Sequence, residues 1–160
     1  LIKVAKKSRT KNFSELLILA IETAMRRGEL LTLEWDDIDL EQRELLVRQT
    51  KNGESRIIPL TPRAHKTLKS MTTDGSDRLF RLSGNAVRLS FDRVRKRAGL
   101  EHIRFHDLRH EAISRLFELG LTHHEVSSIS GHKSADQLFH YSHHNIDLIQ
   151  KKFLSNRDVT

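Results

Sequence analysis

Only one stretch of this chain departs from a helical period. Leu45-Leu46-Val47-Arg48-Gln49 and Ser55-Arg56-Ile57-Ile58-Pro59 are short β-type runs, and the tetrapeptide between them, Lys51-Asn52-Gly53-Glu54, is rich in turn residues. They read as a hairpin within a small antiparallel sheet spanning Trp35 to Leu60. Elsewhere the apolar residues recur at helical spacing, so the class is mainly α with one small sheet.

The helices are legible one by one. Asn12, with Glu15 three residues on, marks a helix start, and Phe13, Leu16, Leu17, Ala20 and Ala24 follow on one face. Arg26-Arg27-Gly28-Glu29 ends that helix, Gly28 permits a bend, and Glu29 to Glu34 reads as a short second helix. Thr61-Pro62 opens another, with proline at the first helical position. Asn85 to Ala98 is amphipathic. Val87, Phe91, Val94 and Ala98 form its apolar stripe, and Arg88, Arg93, Arg95, Lys96 and Arg97 fill the rest. From His106 onward the pattern is helical, with Leu108, Ala112, Leu116 and Leu119 on one face. Thr122 to Glu125 and Ser134 to Gln137 are capping boxes, and Ile146 to Leu154 reads as a last helix.

Composition narrows the function. The chain has 160 residues, the size of one domain, and no cysteine, which excludes a disulfide scaffold, a thiolate zinc site and a cysteine nucleophile. Its longest apolar run, Leu16 to Ile21, is far short of the ~20 residues a membrane span needs. Twenty-eight Lys and Arg against 21 acids leave a net charge of +7, which favours a polyanionic partner such as nucleic acid. Aromatics are too sparse for a base-stacking platform. The chain begins without methionine or a signal peptide, and is expected to be a piece of a longer protein.

Nine of the ten histidines fall between His102 and His144. Within that region His106-Asp107-Leu108-Arg109-His110 places His106 and Arg109 in the first turn of a helix, where free N–H groups and the dipole favour an anion. Either this is a phosphate site, gripped bidentately by Arg109, or it is a solvated helix end. His106/His110 and His140/His144 have the spacing of paired zinc ligands but lack an HExxH glutamate, so no metal is expected. His123-His124 and His143-His144 read as surface pairs. Taken singly, Arg26 and Arg27 suit a helix C-terminus, Lys51 an exposed hairpin tip, and Tyr141, the only tyrosine, a core aromatic.

The order of these pieces carries more than any one of them. Thr23-Ala24-Met25-Arg26-Arg27-Gly28-Glu29 is followed by Thr50-Lys51-Asn52-Gly53, His106-Asp107-Leu108-Arg109-His110, Gly131-His132-Lys133-Ser134 and Tyr141-Ser142-His143. This closely resembles the catalytic domain of the tyrosine recombinases, the family of phage integrases and Xer-type resolution enzymes. The resemblance runs from about Asn12 to Leu154.

It implies a single catalytic domain over 1–160, mainly α with a small three-stranded antiparallel sheet. By that resemblance Tyr141 is the nucleophile, leaving a 3′-phosphotyrosyl link and a free 5′-hydroxyl without ATP or a cofactor. Arg26 and Arg109 hold the non-bridging oxygens, Lys51 protonates the leaving oxygen, His106 exchanges a proton with Tyr141, and His132 bonds the phosphate. Glu29 and His110 match supporting positions behind the site. Arg27 competes with Arg26, although a helical period turns it about 100° away. Ala24 replaces the family's usual glycine, a change expected to leave the site unaffected.

The partner implied is double-stranded DNA, bound along the backbone by Arg88, Arg95 and Arg97. Four protomers act together on DNA, with Ile146 to Leu154 docking on a neighbour, while the isolated piece is expected to be a monomer. The family's N-terminal core-binding domain is expected to be missing, so DNA binding by this piece alone should be weak. A phage- or prokaryote-encoded cytoplasmic protein with no membrane association is expected. The rival reading is a helix-turn-helix regulator without chemistry, built from Leu121 to Ser134.

Overall fold

The computed structural model describes residues 1–48, 55–73, 75–132 and 138. Seven helices are found among them: α1 (Ile2–Ala5), α2 (Phe13–Thr23), α3 (Arg27–Thr32), α4 (Pro62–Ser70), α5 (Gly84–Arg97), α6 (Asp107–Glu118) and α7 (His123–Ser130). A 3₁₀ turn, Trp35–Asp37, leads from α3 into the sheet.

Helix α2 is the centre. Its polar face is reduced to Glu15 and Glu22, and Phe13, Leu16, Leu17, Leu19 and Ala20 are all buried. A helix apolar over most of its surface must be wrapped by neighbours, and α1, α3, α4 and α6 pack around it. The start of α2 differs from expectation. Asn12 is left-handed at φ 55° and makes no side-chain cap. The bend after α2 also lies elsewhere: Ala24, at φ 53°, turns the chain, and Gly28 sits inside α3. Helix α3 therefore begins two residues before Glu29, with Arg26 as its N-cap.

The sheet is three-stranded and antiparallel in the order β1 (Ile38–Asp39), β2 (Glu44–Val47), β3 (Arg56–Pro59). Leu45 pairs with Ile58 and Val47 with Arg56. Leu45, Val47 and Ile58 face the core, while Leu46 and Ile57 face outward. The hairpin is thus present as its two strands, and the turn between them, with Lys51, lies outside the described residues.

Helix α4 is capped as its sequence predicts: Thr61 Oγ1 accepts from the Ala64 amide at 3.1 Å, with Pro62 at the first position. In α5 the stripe Val87, Phe91 and Val94 is buried. In α6, Leu119 stands 72% exposed at the helix end, and Ile113 is the buried residue in its stead. The Thr122–Glu125 capping box opens α7, which closes on left-handed Gly131 at φ 72°. The box at Ser134–Gln137 and the helix at Ile146–Leu154 lie outside the described residues.

Two apolar clusters result. The larger joins α2, the sheet, α4 and α5. The smaller comprises Ala24, Ala112, Ile113, Val126 and Leu138. Leu45, fully buried in the larger, reports on the sheet's attachment. Leu45→Ala is expected to cost about 2–5 kcal/mol, read as a lower urea midpoint at unchanged slope.

Candidate phosphate-binding site

Four segments meet at one end of α2: the Ala24–Arg26 turn, the start of β3, the start of α6 and the end of α7. Arg26 is held by the first turn of α3. Its amide donates to Glu29 Oε2 at 2.8 Å, and Nη1 donates to Oε1 at 3.0 Å. Its Nη2 donates to the Gly131 carbonyl at 3.2 Å. Glu29 is buried at 4% exposure, and both its oxygens also accept from Arg56, at 3.1 and 2.9 Å. Burial works to raise the Glu29 carboxyl, but the hydrogen bonds and charges of Arg56 and Arg26 outweigh it and hold the group below its ordinary value.

Arg109 reaches in from α6 and is only 3% exposed. Its Nη1 donates to the Ala24 carbonyl at 2.5 Å, and its Nη2 lies 3.2 Å from His132 Nε2. Neither partner is a carboxylate. Burial first, and then the charges of Arg26 and Arg56, lower Arg109 to about 10, so it remains charged at neutral pH. Among the described residues, Arg26 and Arg56 thus share the carboxylate of Glu29, and Arg109 beside them has no carboxylate partner. That imbalance, in a partly dry cleft, is a standing invitation to an anion.

The hydrogen bonds around His132 assign its protons. Ser130 Oγ donates its only hydrogen to the Val126 carbonyl at 2.7 Å, and also lies 2.7 Å from His132 Nδ1. Nδ1 must therefore be the donor there, which leaves the Nε2 lone pair for Arg109. His132 is neutral in this arrangement. In agreement, burial and then Arg109, Arg26, Arg56 and His106 push its pKa down to about 4.

His106 directly precedes α6, and its ring meets that of His110 edge-on with centroids 4.7 Å apart. Burial, then His110, Arg109 and Arg26, lower its pKa, against the raising effect of Asp107. One expectation does not hold. The amides of Asp107, Leu108 and Arg109 already bond the carbonyls of Arg104, Phe105 and His106, so the first turn of α6 offers an anion no free N–H there. Side chains must do the holding.

A cleft of about 300 Å³ opens beside these groups, lined by Ala20, Met25, Arg27, Phe105, His106 and Arg109. Both Arg26 and Arg27 border the site. The charge of Arg26, not of Arg27, bears on His106, Arg109 and His132 together. Ala24 is not neutral to the backbone either: a left-handed alanine costs roughly 1–2 kcal/mol. Its methyl is compensated by full burial in the smaller cluster.

Lys51 and Tyr141 lie outside the described residues, so the structure places four of the six expected catalytic residues: Arg26, His106, Arg109 and His132. Glu29 sits behind Arg26, and His110 sits behind His106. The three α5 arginines expected to contact DNA stand apart. Arg88 is exposed and bonds Asn85 at 3.0 Å. Arg97 is exposed at the helix end. Arg95 is engaged, donating to Asp92 at 2.9 Å and to the Glu101 and Ile103 carbonyls at 2.6 and 2.9 Å. Among the described residues no three His, Asp or Glu side chains converge as a metal site.

Arg56 is the residue that the motifs do not single out. The signal was present in the strand period: with Ile58 facing the core, Arg56 two residues earlier faces it too, and a charge on that face needs a buried partner.

Residues 1–147 match the phage integrase family. The chain belongs to that family. It is 44% identical over 126 residues to the shufflon-specific DNA recombinase of Escherichia coli, covering 78% of this chain and 33% of that protein. To the tyrosine recombinase XerA of Saccharolobus solfataricus it is 30% identical over 138 residues, covering 85% and 47%. The chain thus spans a third to a half of the length of these curated relatives. The catalytic domain of bacteriophage HP1 integrase superposes with a TM-score of 0.74 at 22% identity, covering 97% of this chain and 90% of that one. A solved XerA recombinase gives 0.71 at 24% identity, covering 98% and 61%. The fold is that of a tyrosine recombinase catalytic domain, as the motif order implied. Membership in this family displaces the regulator reading, whose second helix lies outside the described residues. No described helix is long and apolar enough to cross a membrane.

The depressed His132 pKa has a measurable sign. The unfolded chain takes up a proton near the ordinary 6.5, whereas the folded one waits until about 4. His132 therefore contributes stability in full above pH 6.5, and that contribution fades as the pH falls toward 4. The urea midpoint is expected to drop across this window, and to drop less in His132→Gln. An NMR titration placing the His132 ring near its ordinary value would contradict the arrangement.

Proposed function

We propose that this chain is the DNA-cutting and -rejoining domain of a site-specific recombinase, working on double-stranded DNA through a 3′-phosphotyrosyl intermediate. The observation that carries the reading is that, among the described residues, Arg26 and Arg56 share the Glu29 carboxylate while Arg109 beside them has none, with neutral His132 at its edge. A phosphodiester supplies the missing negative charge.

In the proposed reaction Tyr141 Oη attacks the scissile phosphorus, and its proton passes to His106. Tyrosine's ordinary pKa of about 10 makes such a base necessary, and a lowered His106 pKa keeps the imidazole free to accept. Arg26 and Arg109 hold the non-bridging oxygens as charge builds on phosphorus, and His132 shifts to its other tautomer, donating Nε2–H to the phosphate while Nδ1 accepts from the Ser130 hydroxyl. The P–O5′ bond breaks, and Lys51 gives the leaving oxygen its proton. Bond energy is kept in the phosphotyrosyl link, so rejoining is the same path reversed and needs no ATP, cofactor or metal. Glu29 and His110 support Arg26 and His106 from behind.

Two neighbours of the same fold were solved on DNA, the Tn1549 transposon integrase with circular intermediate DNA and XerH with its difH substrate. By analogy α5 lies along a DNA backbone, with Arg88 and Arg97 reaching phosphates and Arg95 adding charge while it holds the 101–103 segment. Four copies would assemble on two duplexes, with Ile146 to Leu154 linking neighbours.

Incubation of the full-length protein with nicked duplex DNA in EDTA is expected to give a denaturant-resistant adduct mapping to Tyr141, absent in Tyr141→Phe. Arg109→Lys should slow its formation by about 10²–10³. Tight DNA binding without any adduct would return the chain to a binding role. Arg88→Ala and Arg97→Ala should each flatten the slope of log affinity against log salt by about 0.9. Arg95→Ala should in addition lower the melting temperature. Unchanged slopes would count against the placement of α5.

A further inference from the structure

We propose that Arg56 is a positioning residue for this site: it clamps α3 to the turn ending α7 and so sets the distance between Arg26 and His132. The inference rests on the recombinase reading above and assigns to it a residue that the motif order does not contain.

All three guanidinium nitrogens of Arg56 are engaged. Nη1 and Nη2 donate to the two oxygens of Glu29 at 3.1 and 2.9 Å, and Nε donates to the Ile129 carbonyl at 2.8 Å. One edge of the planar fork thus faces α3 and the other faces α7. Only arginine presents donors in both directions at once. The side chain is 12% exposed, so water competes little with these bonds.

Gly131 supplies an independent observation. A Cβ built there would lie 3.0 Å from Arg56 Cζ and Nη1, at a backbone φ of +72°. The turn is therefore pressed flat against the guanidinium and requires glycine twice over. The Gly131 carbonyl in turn accepts from Arg26 Nη2 at 3.2 Å. A closed circuit results: Glu29 to Arg56, Arg56 to Ile129, the turn to Gly131, Gly131 to Arg26, and Arg26 back to Glu29. His132 is the next residue after that turn.

The Nε, Nη1 and Nη2 groups of Arg56 are committed to the Ile129 carbonyl and the Glu29 carboxylate, so it acts on the reaction through others. Loss of either arm lets the α7 turn drift from Arg26, and misplacement by about 1 Å can cost about 10²-fold in rate.

The test uses the full-length protein with Arg56→Lys and Gly131→Ala, singly and together. Substrates are a nicked duplex and the same duplex carrying sulfur in place of the 5′-bridging oxygen. A thiolate leaves without a proton, so sulfur rescues a defect in leaving-group protonation but not one in phosphate positioning. Each single variant is expected to form adduct at least about tenfold more slowly at saturating DNA, with affinity within about twofold of the parent. Sulfur should not restore either, and the double variant should be no slower than the worse single one. A rate near that of the parent overturns the proposal, as does rescue by sulfur, which would place Arg56 behind Lys51.

Should the parent itself form no adduct on either substrate, the recombinase reading fails, and hydrogen exchange still tests the clamp. The Gly131 and His132 amides should exchange about tenfold faster in Arg56→Lys while α2 amides keep their protection. Equal exchange would overturn it.

Discussion

A single buried carboxylate, Glu29, ties the two sides of the described site together by bonding both Arg26 and Arg56. Glu29 would be costly to bury alone, and so would a lone arginine. The fold answers by sharing Glu29 between a helix cap and a strand residue, Arg26 and Arg56, and by leaving Arg109 with carbonyl and imidazole partners only. Charge is thus deliberately out of balance at one place. Surface lysines and arginines give a general attraction for polyanions, but they are screened and mobile. The guanidiniums here are held by directional bonds, so an arriving phosphate meets donors already in place.

In the absence of DNA, Arg109 and His132 satisfy one another. The Nε2 lone pair that accepts from Arg109 is held toward the site by the bond from Nδ1–H to Ser130. Ser130 is itself fixed to the Val126 carbonyl within α7. A helix-internal serine therefore decides which nitrogen of His132 is available. The bound anion would exchange one hydrogen bond for another and would not have to organise a loose side chain.

Much of this is legible in the amino-acid sequence, and for a plain reason. Helix positions follow from apolar spacing, so the buried face of α5 and the cap of α4 are readable from Val87, Phe91, Val94 and Thr61. Arg26, His106, Arg109 and His132 are readable from motif order, and they do converge. What escapes depends on three-dimensional neighbours. The bend falls at Ala24 because its methyl has a buried place waiting, which no local rule for glycine reveals. Arg56 looks like an ordinary strand arginine until Glu29 is known to lie beneath it. The helix start at His106 has the residues of an anion site, but the preceding turn has already taken its amides. Leu119 fits the α6 period, yet the helix ends before the core reaches it.

The left-handed turn at Ala24 does one more thing. Ala24 is packed in the smaller apolar cluster, while Met25, the next residue, belongs to the larger. The chain crosses from one core to the other within a single peptide unit, and Arg109 bonds the carbonyl of that same unit. The cleft therefore lies on a seam between two separately packed bodies. Helix α6 spans that seam, with Leu108 buried in the larger cluster and Ile113 in the smaller, so the two interiors are pinned together by the helix that carries Arg109.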